Sequence, residues 1–562
     1  MIKIKSTENF DENILKSLHF IIYIILIAQK IVYKRKKLVY SIEAKISFRR
    51  SRTGEIMLAK DVAFVISGLD GVPVDVEVDV NPGLHAFEVV GLPDAAVKES
   101  RERVRSAIKN SGKRFPNHRI TVNLAPAELK KEGAMLDLAI AVALVKSTGE
   151  LGAADIGKAV LLGELSLDGK IRPVNGILPM LISAKQRGFS EVIIPEENAK
   201  EGSYISGITI KKADTLKAVL EYLEGYGELE TVETVGYDEI SNKDEYKNDL
   251  RFVKGQYVAR RALEIAVSGN HNMLMVGPPG AGKTMLAKCI PSIMPSMSFD
   301  EALETTKIHS VAGKLSREDG IISKRPFVTP HHTASNVSMI GGGSSAKPGL
   351  ISLAHNGVLF LDEMPEYTRS MLECLRQPLE DRVITVSRAR QTISYPASFM
   401  LVGSMNPCPC GYFGAKNGKC TCSPVQIARY KSRISGPLMD RVDIRITVDA
   451  VKYDELTATG EEESSEQVRK RVDAARQIQR ERFSNDGIST NAEMGERELR
   501  KYCNLSAECN EILKRSFISL NLSARARARI IKVARTIADL DYAENIEPKH
   551  LLEAISYRSD ET

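Results

Sequence analysis

The chain has 562 residues, of which 43% are hydrophobic and 27% charged, and it contains no tryptophan. That length predicts about three domains and that balance describes a soluble globular protein with ample core. Its 78 basic residues against 72 acidic ones leave a net charge of +6, which neither demands nor excludes nucleic acid, and eight cysteines over this length exclude a disulfide scaffold.

The first apolar run, LHFIIYIILIA from Leu18 to Ala28, is followed by KRKK at Lys34. It is shorter than the roughly 20 residues a membrane helix needs. A signal peptide would carry its positive charge before the run and a small-residue cleavage site after it. No stable membrane association is expected, and a cytoplasmic location is. The scattered Cys289, Cys374, Cys503 and Cys509 suit buried thiols in a reducing compartment.

From Met57 the pattern alternates between strand and helix. VDVEVDV (Val74–Val80) and RITVNL (Arg119–Leu124) have the period of two that predicts half-buried strands. DLAIAVALV (Asp137–Val145) fits helix or strand by periodicity, and its alanines favour helix. AVLLGEL and EVIIP read as further strands, completing an α+β or α/β domain over residues 57–227. Residues 228–250 are acidic, polar and without apolar periodicity, as a linker should be. A second α/β block is expected over 251–450. The remainder, 451–562, reads as helical, with ARIIKVARTIADL placing Ile530, Val533, Ala534 and Ile537 on one face.

The stretch NMLMVGPPGAGKTMLAKCI supplies an apolar strand, a G-x-x-x-x-G-K-T loop and a helix start. This is the context that makes a P-loop. Gly277, Pro278, Pro279, Gly280, Ala281 and Gly282 would cradle phosphate oxygens, the glycines turning backbone N–H groups inward. Lys283 would reach the β- and γ-phosphates of ATP, and Thr284 would ligate Mg2+. Downstream, the apolar Val358–Leu361 ends in Asp362 and Glu363. Asp362 is expected to hold Mg2+ and Glu363 to polarise the attacking water as general base. A third strand, FMLVGSMN, ends in Asn406, whose amide could orient that water or sense the γ-phosphate.

Six strings, GPPGAGKTMLA, RPFVTPHHTASNVSMIGGG, PGLISLAHNGVLFLDEMPEY, NPCPCG, RISGPLMDRVD and VARTIADL, together resemble the ComM/YifB family of magnesium-chelatase-like AAA+ ATPases. The resemblance covers nearly everything from Met57 onward. It implies an α/β P-loop AAA+ core, a parallel sheet flanked by helices, with a C-terminal helical lid. A ribosomal-protein-S5-like, Lon-like α+β domain would precede that core. It implies a homo-hexameric DNA helicase that drives branch migration during natural transformation. The alternative is a protein-remodelling or chelatase-type ATPase without a DNA substrate. Arg441 in PLMDRVD matches the arginine finger, Gln256 in VKGQ the contact to the base edge, and Arg525 in NLSARARAR the lid sensor, with Arg527 and Arg529 as rivals. The Lon-like serine and lysine positions fall on Met135 and near Leu178, neither of which can do that chemistry, so proteolysis is not expected. The family begins close to MLAKDVAFVISGLDG, so Met57 fits as the start and residues 1–56 as an atypical extension.

EDRVITVSRARQTISYPASF reads as a hairpin with Arg388 and Arg390 near its tip. Its position matches the pre-sensor hairpin of related hexamers, where both arginines could contact DNA phosphates. His331 and His332, adjacent in a loop, make a poor chelate. Directly after Asn406, Cys408, Cys410, Cys420 and Cys422 form two Cys-x-Cys pairs. They could hold a structural Zn2+ in a tetrahedral site or remain free thiols.

Overall fold

The computed structural model describes residues 58–151, 159–237, 246–316, 318, 320–343, 346–388, 391–414, 420–451, 462–520 and 522–558. Residues 1–56, the start at Met57 and the tip residue Arg390 lie outside them, as does the side chain of Arg388.

The N-terminal part is one mixed sheet. Its strands are β1 (Ala59–Ser67), β2 (Asp70–Asn81), β3 (Ala86–Val90), β4 (Arg119–Ala125), β5 (Ala159–Leu161), β6 (Glu191–Pro195), β7 (Thr209–Ala213) and β8 (Glu230–Thr231), in the order β8-β7-β6-β5-β1-β2-β4-β3. The alternation in β2 points Val74, Val76 and Val78 into the core. Helices α1 (Ser100–Asn110), α2 (Asp137–Ser147) and α3 (Ile177–Gln186) follow in chain order. Every residue of α2 but Lys146 is buried. A helix wrapped on all sides has no amphipathic stripe, which is why periodicity alone left that segment open. Within the acidic stretch, β8 pairs antiparallel with β7 at the sheet edge.

The second sheet is fully parallel, with order β10-β11-β14-β9-β15: β9 (Met273–Val276), β10 (Phe327–Val328), β11 (Val358–Leu361), β14 (Met400–Met405) and β15 (Ile444–Thr447). All of β11 and β14 is buried, as continuous apolar runs in a sheet covered on both faces require. The hairpin β12 (Val383–Arg388) and β13 (Gln391–Pro396) stands outside this sheet, paired from Val383↔Pro396 to Arg388↔Gln391. Three helices belong to this block: α4 (Tyr257–Gly269), α5 (Lys283–Ile293) and α6 (Phe299–Ala312). Ser298 and Glu301 form a capping box at the start of α6, and Gly313 at φ 68° ends it.

The C-terminal helices are α7 (Ser465–Arg482), α8 (Ala507–Ser519), α9 (Ala524–Leu540) and α10 (Pro548–Ser556). α7 packs on α4 and α5, and α9 packs on α4 and α10. One apolar cluster runs from Met273 in the sheet through Leu263 of α4 to Val472 and Ile530 of the lid. The N-terminal sheet has a separate core. The two parts meet where α3 touches α6: the Gly176 N–H donates to Ser310 Oγ at 3.1 Å, and the Ser310 hydroxyl donates to the buried Glu201. No helix of the described residues is long and apolar enough to cross a membrane.

Candidate nucleotide site and its arginine face

The P-loop strand β9 sits between β14 and β15, where strand order reverses. Ligands of open parallel sheets bind beyond the carboxyl ends of strands at such a point. Residues 277–282 leave β9 there and feed α5. Gly280 and Gly282 adopt φ 78° and 87°, and a side chain on either would meet open space. Their backbone is free to face a ligand. Gly277 is glycine for another reason: a Cβ there would lie 2.2 Å from the Val448 carbonyl oxygen. It serves close packing against the chain leaving β15 rather than an unusual turn.

Lys283, nearly buried, donates from Nζ to the carbonyls of Gly277 at 2.6 Å and Pro278 at 2.9 Å, and to Asn406 Oδ1 at 3.2 Å. Burial pushes its ammonium pKa down, against the pull of Asp362 and Glu363. Thr284 Oγ1 donates to Asp362 Oδ2 at 2.9 Å. Two oxygen ligands therefore converge at the helix start, the donor set a hard cation such as Mg2+ takes. The Ser404 hydroxyl donates to Asp362 Oδ1 and accepts the Glu363 N–H at 3.2 Å. Glu363 has φ 52° and an exposed side chain. Gln256, at φ 56°, donates from Nε2 to Ala281 O at 3.3 Å and Asp449 O at 2.6 Å. It thus ties the P-loop to the chain after β15, beside the exposed Phe252, Tyr257 and Val258.

Sequence reasoning missed Ser404. Strand alternation held the signal, because Ser404 and Asn406 are two apart and share a face.

Arg441 lies elsewhere. Its guanidinium pairs with Glu380 and donates to Pro437 O at 2.8 Å, and its carbonyl accepts from Asn272 Nδ2 at 3.0 Å. Asn272 precedes β9, whereas the P-loop follows it. A four-residue strand, about 13 Å long, separates them. The Glu380 carboxyl is held below its ordinary pKa by Arg441 first, with Arg525 also contributing. Of the lid arginines, Arg525 and Arg527 are exposed, whereas Arg529 is committed to Asp443 and to the Arg441 carbonyl at 3.2 Å. Glu380, 61 positions from Arg441, carried no sequence signal.

The four cysteines come together. Cys408 and Cys410 sulfurs are 3.3 Å apart, Cys420 lies 3.7 Å from each, and all four sulfurs fall within 4.8 Å of one another. His331 bonds Thr333 at 2.7 Å and its ring lies tilted against that of His332, centroids 4.2 Å apart, which accounts for the pair without a metal. In the N-terminal domain, Leu178 is buried in α3 and Met135 packs part-buried against the same core.

The fold and this pocket are those of a P-loop protein. The family model "Magnesium chelatase, subunit ChlI" matches residues 249–456, "Subunit ChlI of Mg-chelatase" matches 76–198, and "Magnesium chelatase, subunit ChlI C-terminal" matches 462–558. YifB of Escherichia coli is 43% identical over 493 residues, 88% of this chain and 95% of that protein. Competence protein ComM of Haemophilus influenzae is 42% identical over 495 residues, 88% of this chain and 96% of that one. The chain belongs to the ComM/YifB family of magnesium-chelatase-like ATPases. A Lon protease of Lachnoclostridium phytofermentans is 28% identical over 157 residues, 26% of this chain and 19% of that protein.

Proposed function

We propose that the protein is a ring-forming, ATP-driven DNA motor, a homo-hexameric helicase that drives branch migration in the cytoplasm during recombination of incoming DNA. The placement of Arg441 carries this reading. It sits at the end of β9 opposite the P-loop, so it cannot reach its own γ-phosphate. That position suits an arginine that serves a neighbour's site, and head-to-tail contacts of this kind form a ring when their rotation closes. The name of the Haemophilus relative, a competence protein, supports DNA as the substrate.

In this reading Gly277 to Thr284 bind ATP, and Lys283 and Asn406 share the γ-phosphate. Thr284 and Asp362 hold Mg2+, which when bound screens phosphate charge. Glu363 takes a proton from the attacking water, and Ser404 keeps the neighbouring Asp362 aimed. Gln256 reads the base edge. Arg441 and Arg525, gathered at Glu380, face the next subunit's nucleotide. Zn2+ at the four cysteines completes the cofactor set. Arg388 and Arg390 contact DNA phosphates from the hairpin. With Met135 and Leu178 in the Lon-like positions, the N-terminal domain is not a protease and serves assembly or DNA contact.

The test is the ATPase rate of the purified protein with and without single-stranded DNA. Stimulation several-fold is expected, lost in Glu363→Gln and weakened by Arg388→Ala with Arg390→Ala. A rate indifferent to DNA would instead favour a protein-remodelling or chelatase-type ATPase.

A further inference from the structure

The four-cysteine loop is joined to the nucleotide pocket by contact as well as by sequence. β14 delivers Asn406, and Cys408 follows two residues later, fully buried. Gly411, at φ 85°, closes against the P-loop: a Cβ there would lie 2.7 Å from Pro279 Cδ and 3.9 Å from the Asn406 side-chain carbon Cγ. The second pair runs straight into the helix Pro424–Lys431, capped by Ser423. That helix returns toward the pocket, where Tyr430 is buried in the same apolar cluster as Met405, the residue before Asn406. Lys431 also lies over the Phe413 ring at 5.7 Å. The four sulfurs are thus the point at which the loop's two ends are pinned together.

Their chemistry is that of a metal site. A tetrahedron of sulfurs about 2.3 Å from a central zinc has edges of about 3.8 Å, and three of the separations here are 3.3, 3.7 and 3.7 Å. A disulfide needs sulfurs about 2.05 Å apart, and all four cysteines are free. A backbone N–H addresses one sulfur as it would a thiolate: Phe413 donates to Cys408 Sγ at 3.3 Å. Such outer contacts orient ligands and offset their charge. A closed four-thiolate set leaves no open position for catalysis, so the ion's work is mechanical.

We infer that Cys408, Cys410, Cys420 and Cys422 bind one Zn2+ and that this centre clamps the nucleotide pocket, seating Gly411 against Pro279 and holding Asn406 opposite Lys283. This rests on the reading of residues 277–284 as the ATP site. With the ion in place, Pro279 has a fixed wall and the Asn406 amide a fixed distance to Lys283. Without it, the described segments 407–414 and 420–423 lose the tie between them, and both phosphate-facing groups lose their support.

The experiment measures zinc in the full-length protein purified without added metal, then the affinity of a fluorescent ATP analogue before and after a mercurial releases the metal. About one zinc per chain is expected. Its release should weaken analogue binding about tenfold, roughly 1.4 kcal/mol. Cys420→Ser with Cys422→Ser should lose zinc and affinity together. Gly411→Ala should keep zinc and still lose affinity, which separates the clamp from any general unfolding of the cysteine variant. Absence of zinc, or iron with sulfide in its place, overturns the inference. So does zinc whose release, like Gly411→Ala, leaves affinity unchanged while Lys283→Ala abolishes binding. Analogue binding that Lys283→Ala does not alter would instead overturn the ATP-site reading, and the clamp with it.

Discussion

Asp443 shows how much one side chain holds at the junction of sheet and lid. It accepts the Asn272 N–H at 3.1 Å, pairs with Arg529 of α9 and lies 3.6 Å from the buried His271. Burial pushes its carboxyl pKa up, but Arg529 outweighs that, with Lys532 adding to it, and together they hold it well below the ordinary range. Burial pushes the His271 pKa down, against the pull of Asp443. A depressed carboxylate stabilises the fold fully above the unfolded value of about 3.9, and that stabilisation is lost as pH falls through the folded value. Asp443→Asn should therefore cost about 3 kcal/mol at neutral pH, since it leaves a cation without its partner. Melting temperatures of both proteins from pH 7 down to strong acid check this. The gap should narrow only in acid, and a gap constant with pH would contradict it.

At the scale of elements, the contact between α3 and α6 is polar at its centre. Glu201 is buried, so its carboxyl pKa is raised by desolvation, opposed by the Ser310 hydroxyl and the Leu178 N–H. Ser310→Ala would leave that carboxylate short of a donor, at a cost of about 1–3 kcal/mol. The loss should appear as faster hydrogen exchange in α3 and the start of α6, with the interior of β9 and β11 unchanged. The elements themselves were largely legible. VDVEVDV became β2, the hairpin arms became β12 and β13, and the apolar runs before Asp362 and Asn406 became β11 and β14, because each pattern matched one period. What stayed hidden were partners far apart in the chain. Glu380 beside Arg441, Asp443 beside Arg529 and Gly411 beside Pro279 follow from how strands stack, which local periodicity does not encode. Gly277 was legible as part of a motif but not in its reason, since the Val448 carbonyl that crowds it is set by the register of β9 and β15.

At the scale of the whole molecule, the P-loop and Arg441 occupy opposite ends of one strand. If each site draws its arginine from a neighbour, two broken chains can repair one another. Lys283→Ala and Arg441→Ala should each be inactive alone. Mixed in equal amounts, they should recover part of the ATPase rate, because some interfaces pair an intact P-loop with an intact finger. No recovery on mixing, with both variants still assembling, would rule out Arg441 as a group that one subunit lends to its neighbour's site.

The apolar cluster that joins Met273 of the sheet to Val472 and Ile530 of the lid has a thermal consequence. Contiguous cores melt as units. One face of the parallel sheet shares its core with the lid, and the N-terminal sheet has its own, so heat should take that sheet and the lid together. The lid should not peel away alone; when it goes, the P-loop goes with it.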